Sequence, residues 1–166
     1  MTMKPVLHSF AYGLDFLREQ VADVSDKDMT TQPNGVVNHP AWTIGHITAA
    51  THLLARTIGV PKWLPTEWVQ NYRTGSTPVA DAGIYDSKSE LLSKLREAQS
   101  KITQAIEQMN DSQLDELFPA EAFRDVFPTI RHALTQVLIG HTSFHVGQVS
   151  LWRKAMGLPP MKRSFE

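Results

Sequence analysis

The chain has 166 residues, of which 42% are hydrophobic and 20% are charged, a composition typical of a single globular domain over residues 1–166. The formal net charge of -1 argues against a nucleic-acid partner, because nucleic-acid binding usually needs a basic face. The absence of cysteine excludes disulfides, thiolate ligands and a cysteine nucleophile, so any metal would be held by His, Asp or Glu.

The N-terminal segment does not have the pattern of a signal peptide, since Asp15, Arg18 and Glu19 interrupt its apolar run. No apolar stretch approaches the roughly 20 residues that are needed to cross a bilayer. We therefore expect a cytoplasmic protein that does not contact membranes.

Two segments with helical periodicity occupy the first part of the chain. The first has apolar residues at spacings of three and four, at Val6, Leu7, Phe10, Leu14, Leu17 and Val21. The second is predicted to begin at Asn38-His39-Pro40, with Asn38 as the N-cap and Pro40 in the first turn, and to end at Gly59.

Two further helical segments follow in the second part. Ser87 and Glu90 have the spacing of a capping box, which predicts a helix start. An apolar stripe of about six turns continues from there, with Leu91, Leu95, Ala98, Ile102, Ile106 and Met109. The fourth helix is predicted to begin near Pro128 and to end at Gly157.

Four amphipathic segments without clear strand signals predict an all-α protein, a four-helix bundle. The connection from Gly59 to Asp86 is longer than the other connections and contains Trp63, Trp68 and Tyr72. Long loops in compact domains are often functional. These aromatic residues are predicted either to anchor the crossover to the bundle or to form the mouth of a pocket, and both roles are compatible.

Two histidines on the fourth helix are the first candidate site residues. His141 and His145 are four residues apart, so they lie on the same face, about 6 Å apart along the helix axis. They share that face with Leu138 and Trp152, which indicates that they point into the core. A buried imidazole needs a partner, and two of them in a bundle interior indicate either a shared ligand or a polar network.

His46 on the second helix strengthens the metal interpretation. It shares a face with Trp42, Ala49 and Leu53, which is the face predicted to be buried. Bundle interiors commonly hold metals between facing helices. Three neutral imidazoles from two helices would form an open site, a pattern typical of catalytic metals.

The remaining histidines are weaker candidates because each lies alone or on another face: His8, His39, His52 and His132. His39 is predicted to cap the second helix or to face solvent. Other catalytic patterns are absent from the sequence: it has no H-E-x-x-H, no G-x-S-x-G, no glycine-rich phosphate loop and no Glu-x-x-His pair of di-iron bundles.

Two segments together resemble a known family. HPAWTIGHITAATHLL, followed about a hundred residues later by LIGHTSFHVGQVSLWRKAMGLPP, is similar to the W-x-x-G-H and H-x-x-x-H-x-G-Q segments of the DinB/YfiT-like family of metal-dependent enzymes. The resemblance extends over nearly the whole chain and includes the crossover region. Val146 stands where many relatives have an arginine, and Gln148 matches the glutamine of the family.

The resemblance implies an up-up-down-down four-helix bundle with a long crossover loop between helices 2 and 3. It implies a divalent metal ion, nickel, zinc or iron, held by His46, His141 and His145, the same three residues that the helix faces select. Gln148 would either hydrogen bond near the site or pack, and Trp42 would lie beside it. Relatives often form homodimers, so a homodimer is expected here.

Characterised relatives include thiol S-transferases and isomerases that use low-molecular-weight thiols such as bacillithiol or mycothiol. The leading hypothesis is therefore a metal-dependent enzyme, a thiol S-transferase or a hydrolase, with a small-molecule substrate. An Asp, a Glu or His8 is a candidate general base, and Trp63, Trp68 and Tyr72 are candidates to enclose the substrate. The alternative is a stress-response or binding module with a structural or sensory metal, or none, and no catalysis.

Overall fold

The computed structural model describes residues 2–161, which form an all-helical bundle. The α-helices in chain order are α1 (Lys4–Gln20), α2 (Pro40–Thr57), α3 (Thr66–Tyr72), α4 (Lys88–Glu107), α5 (Asp111–Leu114), α6 (Ile130–Thr135) and α7 (Thr142–Ala155). Short 3-10 turns lie in the connections, at Asp26–Thr30, Pro33–Gly35, Ala82–Ile84 and Glu121–Phe123. Over this range the only extended pairing is an isolated antiparallel bridge between Leu117 and Thr129. No helix in it is long and apolar enough to cross a membrane.

The predicted apolar stripes form the core. In α1 the buried residues repeat every three or four positions, at Val6, Phe10, Leu14 and Leu17. In α4 they are Leu91, Leu95, Ala98, Ile102 and Ile106. Apart from Ala98, these side chains belong to one hydrophobic cluster that also contains residues of α2 and α7. Burial of one face of α1 and one face of α4 is therefore a main source of the stability of the bundle.

The start of α4 follows the predicted capping box. The Glu90 backbone N–H donates to Ser87 Oγ (3.3 Å), and the Ser87 backbone N–H donates to Glu90 Oε2 (3.0 Å). Each side chain satisfies a backbone donor that the first helical turn would leave unpaired.

The N-cap of α2 differs from the prediction. It is His39, and not Asn38, because the Trp42 backbone N–H donates to His39 Nδ1 (3.2 Å). His39 Nε2 donates to the Val79 carbonyl oxygen (3.0 Å). His39 is therefore a fully buried cap and does not face solvent.

The last predicted helix is confirmed, with a local difference. It begins at Ile130, ends at Ala155 and is followed by Gly157 with φ of 72°. Between α6 and α7 the backbone forms a π-turn, Gln136–His141, that the sequence pattern did not predict. Such turns insert one residue into a helix and are frequent at functional sites.

Contacts between the helices give their directions. Gly13 faces Thr142, and Gln20 Nε2 donates to Ser150 Oγ (2.8 Å), so α1 and α7 run parallel. The reverse order holds between α2 and α7. There His46 lies beside His141, while Asn38, earlier in the chain, contacts Gln148, later in the chain. These two helices are therefore antiparallel.

The order of helix directions is up-down-down-up, which corrects the up-up-down-down order implied by the resemblance. Arg18 near the end of α1 contacts Gln99, and Val24 just beyond α1 accepts from Lys88 at the start of α4, so α1 and α4 are antiparallel. An up-up-down-down bundle needs two long crossovers, whereas one crossover suffices here. That crossover lies between α2 and α4, as the sequence predicts.

The crossover is held against α2 by aromatic side chains of α3, a helix that the sequence did not predict. Trp68 Nε1 donates to Asp86 Oδ2 (2.7 Å), and its ring lies 4.4 Å from the ring of Tyr72. The Tyr72 ring packs directly on Gly45, where an added Cβ would lie 2.1 Å from two ring carbons. A glycine at this position is therefore required for the close approach.

Replacement of Gly45 by alanine is expected to destabilise the fold, because the Cβ and the buried Tyr72 ring cannot occupy the same space. Overpacking of this kind costs about 1–3 kcal/mol. Gly147→Ala is the matched control, since its Cβ would meet no atom within 4 Å. It should stabilise α7 by about 0.5–1 kcal/mol through helix propensity. Urea denaturation measures both free energies, and equal effects of the two substitutions would contradict the packing argument.

Candidate metal centre

Three histidines from two facing helices meet inside the bundle. His46 lies in the middle of α2, His141 ends the π-turn, and His145 lies one turn later in α7. One ring nitrogen from each lies within 4.8 Å of the others. His46 and His145 are buried and His141 is half-buried. The structure thus brings together all three residues that the sequence selected as metal ligands.

Aromatic rings border the cluster on two sides. The Trp42 ring stacks on the His46 imidazole at 4.5 Å, with an angle of 10° between the planes. Its indole Nε1 donates to Ser76 Oγ (2.9 Å), which fixes the ring. Phe144 lies edge-on to His145 at 5.2 Å, and 64% of its surface is exposed. The cluster therefore has one closed aromatic wall and one apolar residue at the protein surface.

The tautomer of His46 is fixed by the crossover. His46 Nδ1 lies 2.6 Å from the carbonyl oxygen of Tyr72. A carbonyl oxygen only accepts hydrogen bonds, so Nδ1 carries the proton and Nε2 keeps its lone pair. A metal-binding histidine commonly donates its other ring N–H in this way.

The tautomer of His145 is fixed in the same way, by a side chain of its own helix. Its Nδ1 lies 2.8 Å from Gln148 Oε1, an acceptor, so the proton sits on Nδ1. Its Nε2 is therefore free to bind a metal. Gln148, for which the sequence left open either packing or a hydrogen bond near the site, makes that hydrogen bond.

His141 is the one member of the cluster whose tautomer opposes metal binding. Its Nε2 lies 2.9 Å from His46 Nε2, which has no proton to give, so His141 donates. Its Nδ1 is buried and has no hydrogen-bond partner. Binding of a metal through Nε2 therefore requires the His141 proton to move to Nδ1.

Burial keeps all three imidazoles neutral. Burial is the main cause that lowers the pKa of His141 to about 3, and the neighbouring His145 and His46 lower it further. Burial likewise lowers the pKa of His145 to about 4, although the hydrogen bond to Gln148 opposes the shift. The pKa of His46 is also lowered by burial, against the hydrogen bond to Tyr72. Neutral imidazole is the form that binds metals.

The donor set fits a divalent transition metal. Two nitrogens on one ion lie at most about 4 Å apart, since each metal–nitrogen bond is about 2.0–2.1 Å. His46 Nε2 and His141 Nε2 are 2.9 Å apart, and the three nitrogens lie within 4.8 Å of one another, so a small movement of the rings would place all three around one ion. Imidazole suits zinc, nickel and iron. Among residues 2–161 no Asp, Glu or further His joins the group. Three protein ligands with an open position are typical of catalytic sites.

The other predicted pocket residues lie in different surroundings. Tyr72 contributes its backbone carbonyl to His46, while its ring is buried beside Gly45. Trp68 packs on Tyr72, and Trp63 packs edge-on against His52 at 4.2 Å. These contacts anchor the crossover, which is one of the two roles expected for them. His8 and His132 are exposed and do not belong to the histidine cluster.

Three contributors were missed at the sequence level. The Tyr72 carbonyl is a backbone group and has no signature in the sequence. Phe144 precedes His145 in the sequence, but neighbouring residues of a helix point in different directions, so the ring contact between them was not predicted. Asn38 was predicted as a helix cap, yet its Nδ2 donates to Gln148 Oε1 (3.0 Å) at the edge of the cluster.

Comparisons with known proteins agree with this fold. A family model described as the DinB superfamily matches residues 13–149, a range that includes all three histidines. A crystal structure of a conserved protein from Enterococcus faecalis is similar, with a TM-score of 0.75 and 18% identity, over 95% of this chain and 99% of that chain. At this identity the likeness shows the fold alone. No curated protein matches the sequence significantly.

Replacement of any one of the three histidines by glutamine is expected to weaken zinc binding by at least about 100-fold, more than the loss typical for an outer partner. His132→Gln is the control, because His132 is exposed on the same continuous helix. Elemental analysis and competition with a chelating dye measure occupancy and affinity. Full zinc occupancy in His145→Gln would remove that residue from the ligand set.

The metal-free protein is expected to lose stability as the pH falls from about 6.5 towards 4. Over this range unfolded histidines bind protons, whereas His141 and His145, whose pKa values are lowered to about 3 and about 4, do not. Each such histidine makes the unfolding free energy fall by up to about 1.4 kcal/mol per pH unit. Urea denaturation at several pH values should show a shallower dependence in His141→Gln. The same dependence as in the unsubstituted protein would contradict the argument.

Proposed function

Because the chain belongs to the DinB superfamily and brings three histidines together inside its bundle, we propose that it is a divalent-metal-dependent enzyme of the thiol S-transferase type that uses a low-molecular-weight thiol. One observation carries the proposal: three neutral imidazoles converge, and none of the carboxylates in residues 2–161 joins them. His46, His141 and His145 are the proposed ligands.

The neutral donor set favours an anionic partner. A divalent ion held there would lower the pKa of a thiol or water bound at its open position. Since the three donors contribute no negative charge, the cluster favours a thiolate or hydroxide more than a carboxylate-rich site would. The buried wall formed by Trp42 and the His46 ring excludes water on one side, which strengthens electrostatic interactions within the cluster.

The lack of an adjacent carboxylate supports a thiol as the nucleophile. No candidate base stands within the cluster in the described part of the chain. A free thiol has a pKa of about 8.5 and water about 15.7, so the thiol needs far less help to ionise at neutral pH. In the proposed reaction the thiolate sulfur bonds to an electrophilic carbon, the leaving group departs with its electron pair, and the thiol proton passes to solvent.

Phe144 provides the surface on which an apolar electrophile would rest. Its ring is largely exposed and touches the His145 ring edge-on. Exposed aromatic rings beside a polar cluster commonly contribute apolar contacts to ligand sites. The electrophile would thereby approach the side of the cluster that carries His145.

The proposal is tested by substituting cobalt and titrating thiols. We expect bacillithiol or mycothiol to produce a sulfur-to-cobalt charge-transfer band, and the loaded enzyme to transfer that thiol to an alkyl or aryl halide. His145→Gln should abolish both signals, and His132→Gln should retain both.

Cobalt binding without any response to thiols, and without transfer, would contradict the transferase proposal while leaving the metal site intact. Hydrolysis of ester or amide substrates by the loaded protein would then favour a hydrolase. A metal-dependent rise in melting temperature with no turnover would favour a structural or sensory metal.

A further inference from the structure

Gln148 Oε1 accepts two hydrogen bonds, and only one of them comes from the histidine cluster. His145 Nδ1 lies 2.8 Å from this oxygen, and Asn38 Nδ2 lies 3.0 Å from it. Asn38 stands two positions before α2, which carries His46, and Gln148 lies in α7, which carries His145. The three side chains thus form a relay between the two helices that hold the proposed ligands.

The orientation of the Gln148 amide decides whether His145 can bind a metal. With the oxygen towards Nδ1, the ring carries its proton on Nδ1 and offers the Nε2 lone pair. With the NH2 group towards Nδ1, that nitrogen has to accept, so the proton moves to Nε2 and blocks ligation. An isolated glutamine side chain has no reason to prefer the first orientation.

Asn38 makes the orientation of the Gln148 amide depend on its own orientation. A donor placed beside the same Gln148 atom requires that atom to be the oxygen, because two NH2 groups repel each other. The relay has one other self-consistent arrangement, with both amides turned over, and that arrangement leaves the proton on His145 Nε2. The structure has the arrangement that frees Nε2.

We propose that Asn38 is a positioning residue of the three-histidine site, acting through Gln148 to hold His145 in the tautomer with its proton on Nδ1. The inference rests on the proposed metal site for its purpose, but its first measurement requires no metal.

The first experiment reads the tautomer directly in metal-free protein. Long-range proton–nitrogen NMR spectra of the 15N-labelled chain at pH 7.5 should show the proton of His145 on Nδ1. In Asn38→Asp the new carboxylate can only accept, so Gln148 has to present its NH2 group and the His145 proton should move to Nε2. An unchanged tautomer in Asn38→Asp, or a proton on Nε2 in the unsubstituted protein, would overturn the proposal.

The second experiment measures zinc affinity, because the added charge and the changed tautomer predict opposite effects on it. A new negative charge near a cation site should tighten zinc binding by Coulomb attraction. The relay predicts instead that Asn38→Asp weakens zinc binding by about 10- to 100-fold, at least as much as Asn38→Ala. Asn34→Asp adds the same charge to the same connection on an exposed residue and should cause no loss. Tighter or unchanged zinc binding in Asn38→Asp would contradict the relay.

A rescue separates positioning from general damage to the fold. Gln148→Glu replaces the amide by a carboxylate that has no donor, so it accepts from His145 Nδ1 whatever stands at position 38. In the Asn38→Ala background it should restore both the Nδ1 proton and zinc affinity to within a few-fold of the unsubstituted protein. Failure of the rescue in a variant with an unchanged melting temperature would show that Asn38 acts by another route.

The two proposals fail separately. If the unsubstituted protein binds no zinc, nickel or iron, the proposed function is wrong, while the NMR result still decides the role of Asn38. If zinc binds and responds to the three histidines but not to Asn38, the positioning proposal alone is wrong.

Discussion

The hydrogen bond from His46 Nδ1 to the Tyr72 carbonyl oxygen is the interaction on which the site depends. At 2.6 Å it joins the middle of α2 to the end of α3, and it determines which His46 nitrogen faces the cluster. It exists because Tyr72 packs directly on Gly45, with no room for a Cβ between them. The long crossover therefore has a structural role at the cluster, since its backbone directs a proposed ligand.

The three imidazoles are not equivalent. His46 and His145 are held with their Nε2 lone pairs free by the Tyr72 carbonyl and by Gln148. His141 donates to His46, and its Nδ1 is buried without a partner. A buried unsatisfied polar atom costs about 1–3 kcal/mol. The cluster thus has two preset positions and one that must reorganise, because a metal held by all three Nε2 atoms would require the His141 proton to move to Nδ1.

The meeting of the three histidines could be predicted from the sequence because helical spacing determines which side chains share a face. His141 and His145 share a face with the buried Leu138 and Trp152, as predicted. The buried face predicted for α2 was only partly right, because His46 and Trp42 are buried but Leu53 is 46% exposed. The groups that direct those ligands could not be predicted in this way. The Tyr72 carbonyl has no side-chain signal, and Asn38 reaches Gln148 only because α2 and α7 are antiparallel. One long connection, between α2 and α4, agrees with an up-down-down-up order of helix directions. The resemblance implied the up-up-down-down order instead.

Burial of three imidazoles works against the stability of the bundle. Their lowered pKa values show that the interior disfavours charge at these positions, and leucine side chains would fill the same space without an unpaired polar atom. A fold retains such a cluster when it serves something other than packing, since functional sites commonly reduce stability. Two separate hydrogen-bond arrangements, one from the crossover to His46 and one from Asn38 and Gln148 to His145, hold two rings of this cluster in place.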